Sequence, residues 1–409
     1  MFEQELIPHL FRTEFSKIAA VLSKTFGIDH IETAEDLASE TFLAALETWP
    51  YRGVPPNPRA WLYTVAKNKA RNYLGRQQLF AGKISAELQK AAVGTENLEI
   101  DLSEKNISDS QLQMLFAICH PAIHPEAQVA LALRILCGFG IDEIAHAFLS
   151  NKETINKRLF RAREKLREEK VPIEFPAPGQ ISQRLDNVLT ILYLLFNEGY
   201  YSETDDAIIR DDLCKEAMRL ARLLLENELT NLPRVNALYA LMCFHASRFK
   251  ARKDEKGQIV LYQDQDESLW DQDLISEGGY YLHLASQGDQ LSKYHLEAGI
   301  AYWHTIKTDS REKWENILQL YNRLLQLEYS PIAALNRTFA LAKANGPREA
   351  IIEAEKLKLE DNPYYFTLLG ELYRDIDKSL AQQHFQRALL FAATQADRDL
   401  INRKIQNLA

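Results

Sequence analysis

Apolar residues recur at intervals of three and four along almost every segment of this chain, and no run of β-branched residues alternates with polar ones for long. That periodicity leaves room for little except helices, so the expected fold class is all-α. The chain has 409 residues, more than one hydrophobic core usually organises, which points to several domains. Hydrophobic residues make up 46% and Gly and Pro are sparse, so there is apolar material enough to fold throughout.

Two changes of texture divide the sequence. Residues 78–110, including "TENLEIDLSEKNISDS", lose sustained periodicity and turn acidic, as a tether would. Then "KVPIEFPAPGQ" packs three prolines and a glycine into eleven residues. The expected organisation is a domain over 1–77, a linker over 78–110, a domain over 111–170, a proline-rich linker over 171–180 and a helical extension over 181–409.

The net charge of −9 is unevenly spread: 21 basic against 23 acidic residues precede Gly179, and 27 against 34 follow it. An anionic partner is therefore sought in the first 170 residues. No apolar run reaches the 18 residues of a membrane span, and the N-terminus lacks a signal-peptide apolar region, so a cytoplasmic protein without membrane contact is expected. Cys119, Cys137, Cys214 and Cys243 show no metal-site or disulfide spacing and read as buried thiols; no metal and no cofactor are expected. Glu198, Asp205, Asp206, Asp271 and Asp273 are acids without an accompanying His, Lys or metal-ligand pattern, so no catalytic site and no enzyme are read from them.

The positive charge is concentrated in "TINKRLFRAREKLRE", residues 154–168, which holds six basic residues and two acids. Before it, a helix from about Glu126 to Leu136 is closed by Gly138 and Gly140, a short helix "IDEIAHAF" follows, and "LSNK" turns the chain into the basic helix. This is helix-turn-helix grammar. Ile155, Leu159, Ala162 and Leu166 make an apolar back, while Lys152, Thr154, Asn156, Lys157, Arg158 and Arg161 are free to meet base edges and phosphates of duplex DNA.

A second constellation lies in "GVPPNPRAWLYTVAKNKARNYLGRQ". Asn57 and Pro58 suit the N-cap and first helical positions. Lys67 with Arg71, and Asn68 with Asn72, form adjacent columns, no acid occurs between 57 and 77, and Trp61 stands nearby. Cations for a backbone beside amides and an aromatic for exposed bases suit single-stranded nucleic acid. Upstream, "TAEDLASETFLAALETW" is an acidic amphipathic helix with Asp36 and Glu40 on one side and Leu37, Phe42, Leu43 and Leu46 available to pack; its acids suit a protein partner.

The ordered series "AEDLASETFLAAL", "NPRAWLYTVAKNKARNYLGR", a tether, and "EIAHAFLSNKETINKRLFRAREKLRE" resembles the bacterial extracytoplasmic-function sigma factors, which keep only the region-2 and region-4 domains. "CHPAIHPEAQVALALR" and "LYLLFNEGYYS" with a long helical tail resemble the subgroup with a C-terminal extension of tetratricopeptide-like repeats, expected here over about 330–395. The resemblance implies transcription initiation by core RNA polymerase at promoter DNA. It implies that Asp36, Leu37, Glu40 and Phe42 dock on the β′ clamp, and that region 4 meets the β flap. Trp61, Lys67, Asn68, Arg71 and Asn72 would hold the −10 strand, and the helix from Lys152 to Arg163 would read the −35 duplex. It further implies control in cis by the extension, which an unknown protein or ligand would engage. Ser39 stands where the family commonly has glutamine, and Ile118 where the subgroup often has a second cysteine. The reading of the residues alone leaves a second class open, a helix-turn-helix regulator with a sensing helical-repeat domain.

Overall fold

The structure is a computed structural model that describes residues 3–84, 100–148, 150–201, 207–252, 260, 262–392 and 395–408. These residues are all-α and contain no strand. They fall into two compact units, Met1–Asn231 and Leu232–Ala409.

The first unit opens with a bundle of α1 (Glu3–Phe26), α2 (Ile31–Arg52) and α3 (Pro58–Ile84). Asn57 caps α3 as its sequence position predicts: its side chain accepts from the Ala60 amide at 3.0 Å, and Pro58 follows at the first helical position. Phe15, Ile18, Leu22, Phe42, Trp49, Leu62 and Ala66 share one core. Ile100, Leu102 and Ile107 belong to the same core, so the segment that enters α4 (Glu104–Ile118) closes the bundle. Residues 85–99 of the expected linker lie outside the described residues.

The second half of this unit is α4, α5 (Pro125–Leu131), a wide helical turn over Ala132–Leu136, α6 (Ile141–Ala147) and α7 (Lys152–Glu168). Gly138 adopts φ +71°, a backbone conformation open to glycine at little cost, with the Phe15 ring 3.6 Å from where a Cβ would stand. The proline-rich stretch before α8 (Pro178–Tyr201) is held down: the Phe175 ring meets Phe116 edge-on at 5.2 Å, and Val171 is buried. Two helices of the expected extension belong to this unit. On α8, Arg184 donates to the Phe116 carbonyl at 2.5 Å, and Asn187 donates to the Cys119 carbonyl and, at 3.1 Å, to Gln128. On α9 (Ala207–Glu226), Arg219 donates to the Leu136 carbonyl at 2.8 Å. Asp205 and Asp206 lie outside the described residues.

The second unit runs through α10 (Pro233–Ala246), α11 (Gln272–Ala285), α12 (Lys293–Trp303), α13 (Arg311–Leu327), α14 (Pro331–Asn345), α15 (Pro347–Leu357), α16 (Pro363–Tyr373), α17 (Lys378–Phe391) and α18 (Gln395–Gln406). Asp271 is the cap of α11, accepting from the amides of Asp273 and Leu274 at 3.1 Å. Each of α14, α15 and α16 begins with proline after Ser330, Gly346 or Asn362, so the breaks between hairpins are written into the sequence. One core links Leu296 and Trp314 to Phe366, Phe385 and Leu408, with the hairpins packed in series: α13 on α14, α14 on α15 and α16, and α16 on α17. A Cβ at Gly370 would stand 2.6 Å from the Phe385 ring, so α16 and α17 can approach this closely only with glycine there. Residues 393 and 394 of the expected repeat span lie outside the described residues. Cys119, Cys137, Cys214 and Cys243 are all buried thiols. No helix of the described residues is long and apolar enough to cross a membrane.

Candidate nucleic-acid interface

In α7 the stripe Ile155, Leu159, Ala162 and Leu166 is buried, as its spacing predicts. The Asn151 side chain accepts from the Thr154 amide at 2.8 Å and fixes where the helix begins. Thr154, Asn156, Lys157 and Arg161 stand exposed on the opposite side. Lys152 is also exposed but pairs with Asp142 of α6 at 2.9 Å. Arg158 departs from expectation. It turns back toward α5, pairs with Glu126 at 3.0 Å and lies 5.5 Å from the Phe148 ring, because its position borders the buried stripe. His124, Ala127, Thr154, Lys157, Arg158 and Arg161 line a shallow groove of about 440 Å³.

The remaining face of α7 meets α2. Arg163 donates to Glu35 at 2.5 Å, Arg134 pairs with the same carboxylate at 3.1 Å, and Arg167 pairs with Glu32. Glu35 is 4% exposed, and burial pushes its carboxyl above the usual range while Arg163 and Arg134 pull it down. Arg12 adds a second tie, to Glu143 at 2.7 Å, and lies 4.6 Å from the Phe139 ring. The basic helix therefore has three faces: one in its core, one on α2 and one exposed.

On α3, Asn68, Arg71 and Asn72 are exposed, and no hydrogen bond or ion pair occupies them among the described residues. Lys67 is half-buried and its charge reaches Asp101. Lys69, which was not among the expected contacts, pairs with Glu40 at 2.8 Å. Trp61 is half-buried and meets Trp49 edge-on at 5.4 Å, so it is mainly a bracket between α3 and α2. Below it Glu14, 1% exposed, accepts from Tyr63 at 2.6 Å and from Arg59 at 3.1 Å and orients the start of α3. Burial, with Glu14 next, raises the Tyr63 hydroxyl above its ordinary range.

The acidic helix α2 places two of its expected contacts in the core. Phe42 packs on Phe11 at 5.0 Å and Phe15 at 6.5 Å, and Leu37 is buried beside them. Asp36 and Glu40 are exposed, and with them Leu43 and Leu46, each more than half exposed. The sequence offered these two leucines as packing residues; on the folded helix they form an apolar strip among acids. Tyr51 and Phe160 were also missed. Tyr51 is 88% exposed at the corner between α2 and α3, and Phe160 is exposed beside Arg161. The signal for Phe160 was its place outside the apolar stripe of α7.

Residues 11–80 match the sigma-70 region 2, and residues 184–286 match a family of unknown function (DUF6596). The chain is 33% identical to an uncharacterized protein of Rhizobium meliloti (strain 1021) over 385 residues, 93% of this chain and 91% of that one. It is 26% identical over 162 residues to the ECF RNA polymerase sigma-E factor of Haemophilus influenzae, covering 39% of this chain and 84% of the relative. With the ECF RNA polymerase sigma factor BldN of Streptomyces coelicolor it shares 31% identity over 137 residues, 32% of this chain and 48% of the other. No solved structure matches.

Proposed function

Because the chain belongs to one family with the Rhizobium meliloti protein and carries a sigma-70 region 2 over residues 11–80, we propose that it is an RNA polymerase sigma factor of the extracytoplasmic-function kind, which binds core polymerase and promoter DNA to start transcription. This family is not an enzyme class. The observation that carries the reading is the coincidence of that match with α3, whose acid-free outer side presents Asn68, Arg71 and Asn72. Unpaired bases of the −10 strand meet Asn68 and Asn72, Arg71 and Lys67 hold the backbone, and Tyr51 supplies a stacking face. The exposed face of α7, with Thr154, Asn156, Lys157 and Arg161, reads the −35 duplex, and Lys152 adds a phosphate contact once released from Asp142. The strip of Asp36, Glu40, Leu43 and Leu46 docks on the β′ clamp, and the helix-turn-helix half meets the β flap. The helices beyond Leu232, with tetratricopeptide-like hairpins from α14 to α17, control this activity in cis.

A geometric consequence follows for the first unit. A compact unit of 231 residues has a radius of gyration of about 17 Å, hence a diameter near 45 Å. The −35 and −10 elements lie roughly 25 base pairs apart by their positions, about 85 Å of duplex. The arrangement in which Glu35 holds α7 on α2 cannot span both. Engagement of the whole promoter therefore requires the Glu32 and Glu35 bridges to open.

The test is run-off transcription with core polymerase on genomic fragments. A sigma factor yields specific transcripts with core alone. Specific duplex binding without core, and no transcript, would instead support a helix-turn-helix regulator.

A further inference from the structure

Two cations are buried in the second unit without a carboxylate partner among its described residues. Lys313, at the start of α13, is 1% exposed, and Arg248, just after α10, is 8% exposed. Both lie against Tyr262. The Lys313 ammonium donates to the Tyr262 hydroxyl at 2.9 Å and to the Ile306 carbonyl, and sits 5.1 Å from the ring centre. That leaves one of its three hydrogens without an acceptor. The Arg248 guanidinium is 5.6 Å from the same ring, and its buried Nε has no hydrogen-bond partner. Trp270 stacks on Tyr262 at 6.2 Å and His304 meets it edge-on at 5.1 Å. The Trp270 Nε1, the His304 Nδ1 and the Oε1 of the adjacent Gln265 are also buried and unpaired.

The acids whose charge reaches Tyr262 are already committed elsewhere. Asp309 accepts from the Trp314 indole and from Lys343, and Glu267 faces Lys307. Burial, with the charges of Arg248 and Lys343, holds the Lys313 ammonium below the usual lysine range, although Asp309 acts the other way. Buried polar groups are nearly always paired, and an unpaired buried charge is among the most costly arrangements a fold can keep. Among the described residues, four unpaired buried groups and two cations without a carboxylate partner converge on one tyrosine, a setting that suits an anion.

We propose that Arg248 and Lys313 bind the oxyanion group of a small metabolite, a phosphate or a carboxylate, against Tyr262. Arg248 supplies a planar fork and Lys313 a point charge, the pair that suits a doubly charged oxyanion. Trp270 Nε1 adds a neutral donor, and Gln265 Oε1 accepts from a hydroxyl or amine of the same ligand. The low polarity of the rings of Tyr262 and Trp270 around the two cations would strengthen each contact. Such a ligand makes the second unit a sensor of metabolite, whichever activity the first unit has.

The full-length chain is titrated with sodium phosphate and, separately, with sodium succinate, each against sodium chloride of equal ionic strength. Tryptophan fluorescence and the melting temperature are followed. One oxyanion is expected to change the fluorescence of Trp270 and Trp314 saturably and to raise the melting temperature by roughly 5–10 °C at a hundredfold excess over Kd. A response to phosphate identifies a phosphoryl ligand, and a response to succinate a carboxylate. Arg248→Gln and Lys313→Met should weaken binding at least tenfold, and Lys356→Gln on α15 should leave it unchanged. Trp270→Phe keeps an aromatic ring and deletes one donor, so, read by melting temperature, it should weaken binding several-fold even if the charge variants fail to fold. No response beyond chloride to either anion overturns the proposal, as does an unaltered response in Arg248→Gln or Trp270→Phe.

Discussion

Arg163 of α7 donates a 2.5 Å hydrogen bond to Glu35 of α2, joining two helices whose bonded residues are 128 positions apart in sequence. Both side chains are largely buried, at 13% and 6% exposure, and Arg134 reaches the same carboxylate. Replacing Glu35 by Gln removes the charge that two guanidinium groups face. Loss of one partner from a buried pair typically costs about 3–5 kcal/mol. With labels on Arg71→Cys and Lys157→Cys, Glu35→Gln combined with Glu32→Gln should enlarge the population in which α3 and α7 are far apart. Single-molecule energy transfer reads that distance directly. An unchanged distribution in a folded variant would show that these bridges do not hold the unit closed.

The outer and inner faces of α2 should respond differently. Phe42→Ala opens the core between Phe11 and Phe15, so it should cost about 3–5 kcal/mol in urea unfolding. Asp36→Arg and Leu43→Asp lie on the exposed face and should leave stability within about 0.5 kcal/mol while weakening core-polymerase binding. Core affinity unchanged in both surface variants removes this face from the interface.

Lys157→Ala and Arg161→Ala should each weaken binding to duplex −35 DNA by about 1–3 kcal/mol, since both side chains are exposed on α7. Asn68→Ala on α3 should spare duplex binding and reduce permanganate reactivity of the −10 region, because an amide there acts on an unpaired base. Footprinting separates the two steps, and the reverse pattern would exchange the roles of the two helices.

How far these surfaces were legible in the sequence depended on contrast. The back of α7 is four apolar residues in a strongly basic helix, and one inward orientation satisfies them. On α2, by contrast, Leu37, Phe42, Leu43 and Leu46 are all apolar, and periodicity cannot decide which pair turns inward. Packing of Phe42 on two rings of α1 decides it. Pairing of Glu35 with Arg163 is invisible to any local pattern, as is the convergence of Arg248, Tyr262 and Lys313 from three separate segments. The proline-rich stretch reads as a linker because prolines end helices, yet Phe175 and Val171 anchor it.

The second unit should lose stability in acid through its buried histidines. Burial first, then the charges of Arg248 and Lys313, holds His304 down to about 3, and His245 is held well below its ordinary value by burial and Arg248. Both are neutral in the fold and take up a proton more readily when unfolded. Their contribution is therefore complete above about pH 6.5 and is lost as the pH falls toward 3. For His304 an upper bound over the whole window is about 5 kcal/mol. His304→Gln should flatten the pH dependence of the melting temperature between pH 6.5 and 4; an equally steep profile would assign it to other groups.

Where the chain is cut should matter more than how much is removed. Truncation at Pro178 deletes α8 and α9, and with them Arg184, Asn187 and Arg219, which satisfy the carbonyls of Phe116, Cys119 and Leu136. It also uncovers the sides of α4, α5 and α6 on which α8 and α9 rest. Each lost hydrogen bond costs roughly 1 kcal/mol, and the apolar surface left open adds about 25 cal/mol per Å², against a margin of only about 5–15 kcal/mol for an ordinary domain. A fragment ending at Asn231 keeps the whole first unit. It should unfold cooperatively, bind core polymerase and initiate poorly, because the helices proposed to control activity are gone. The fragment ending at Pro178 should aggregate or unfold near room temperature. Circular dichroism melts of the two fragments test the first claim and run-off transcription the second. A 231-residue fragment more active than the full chain would make the second unit an inhibitor rather than an activator.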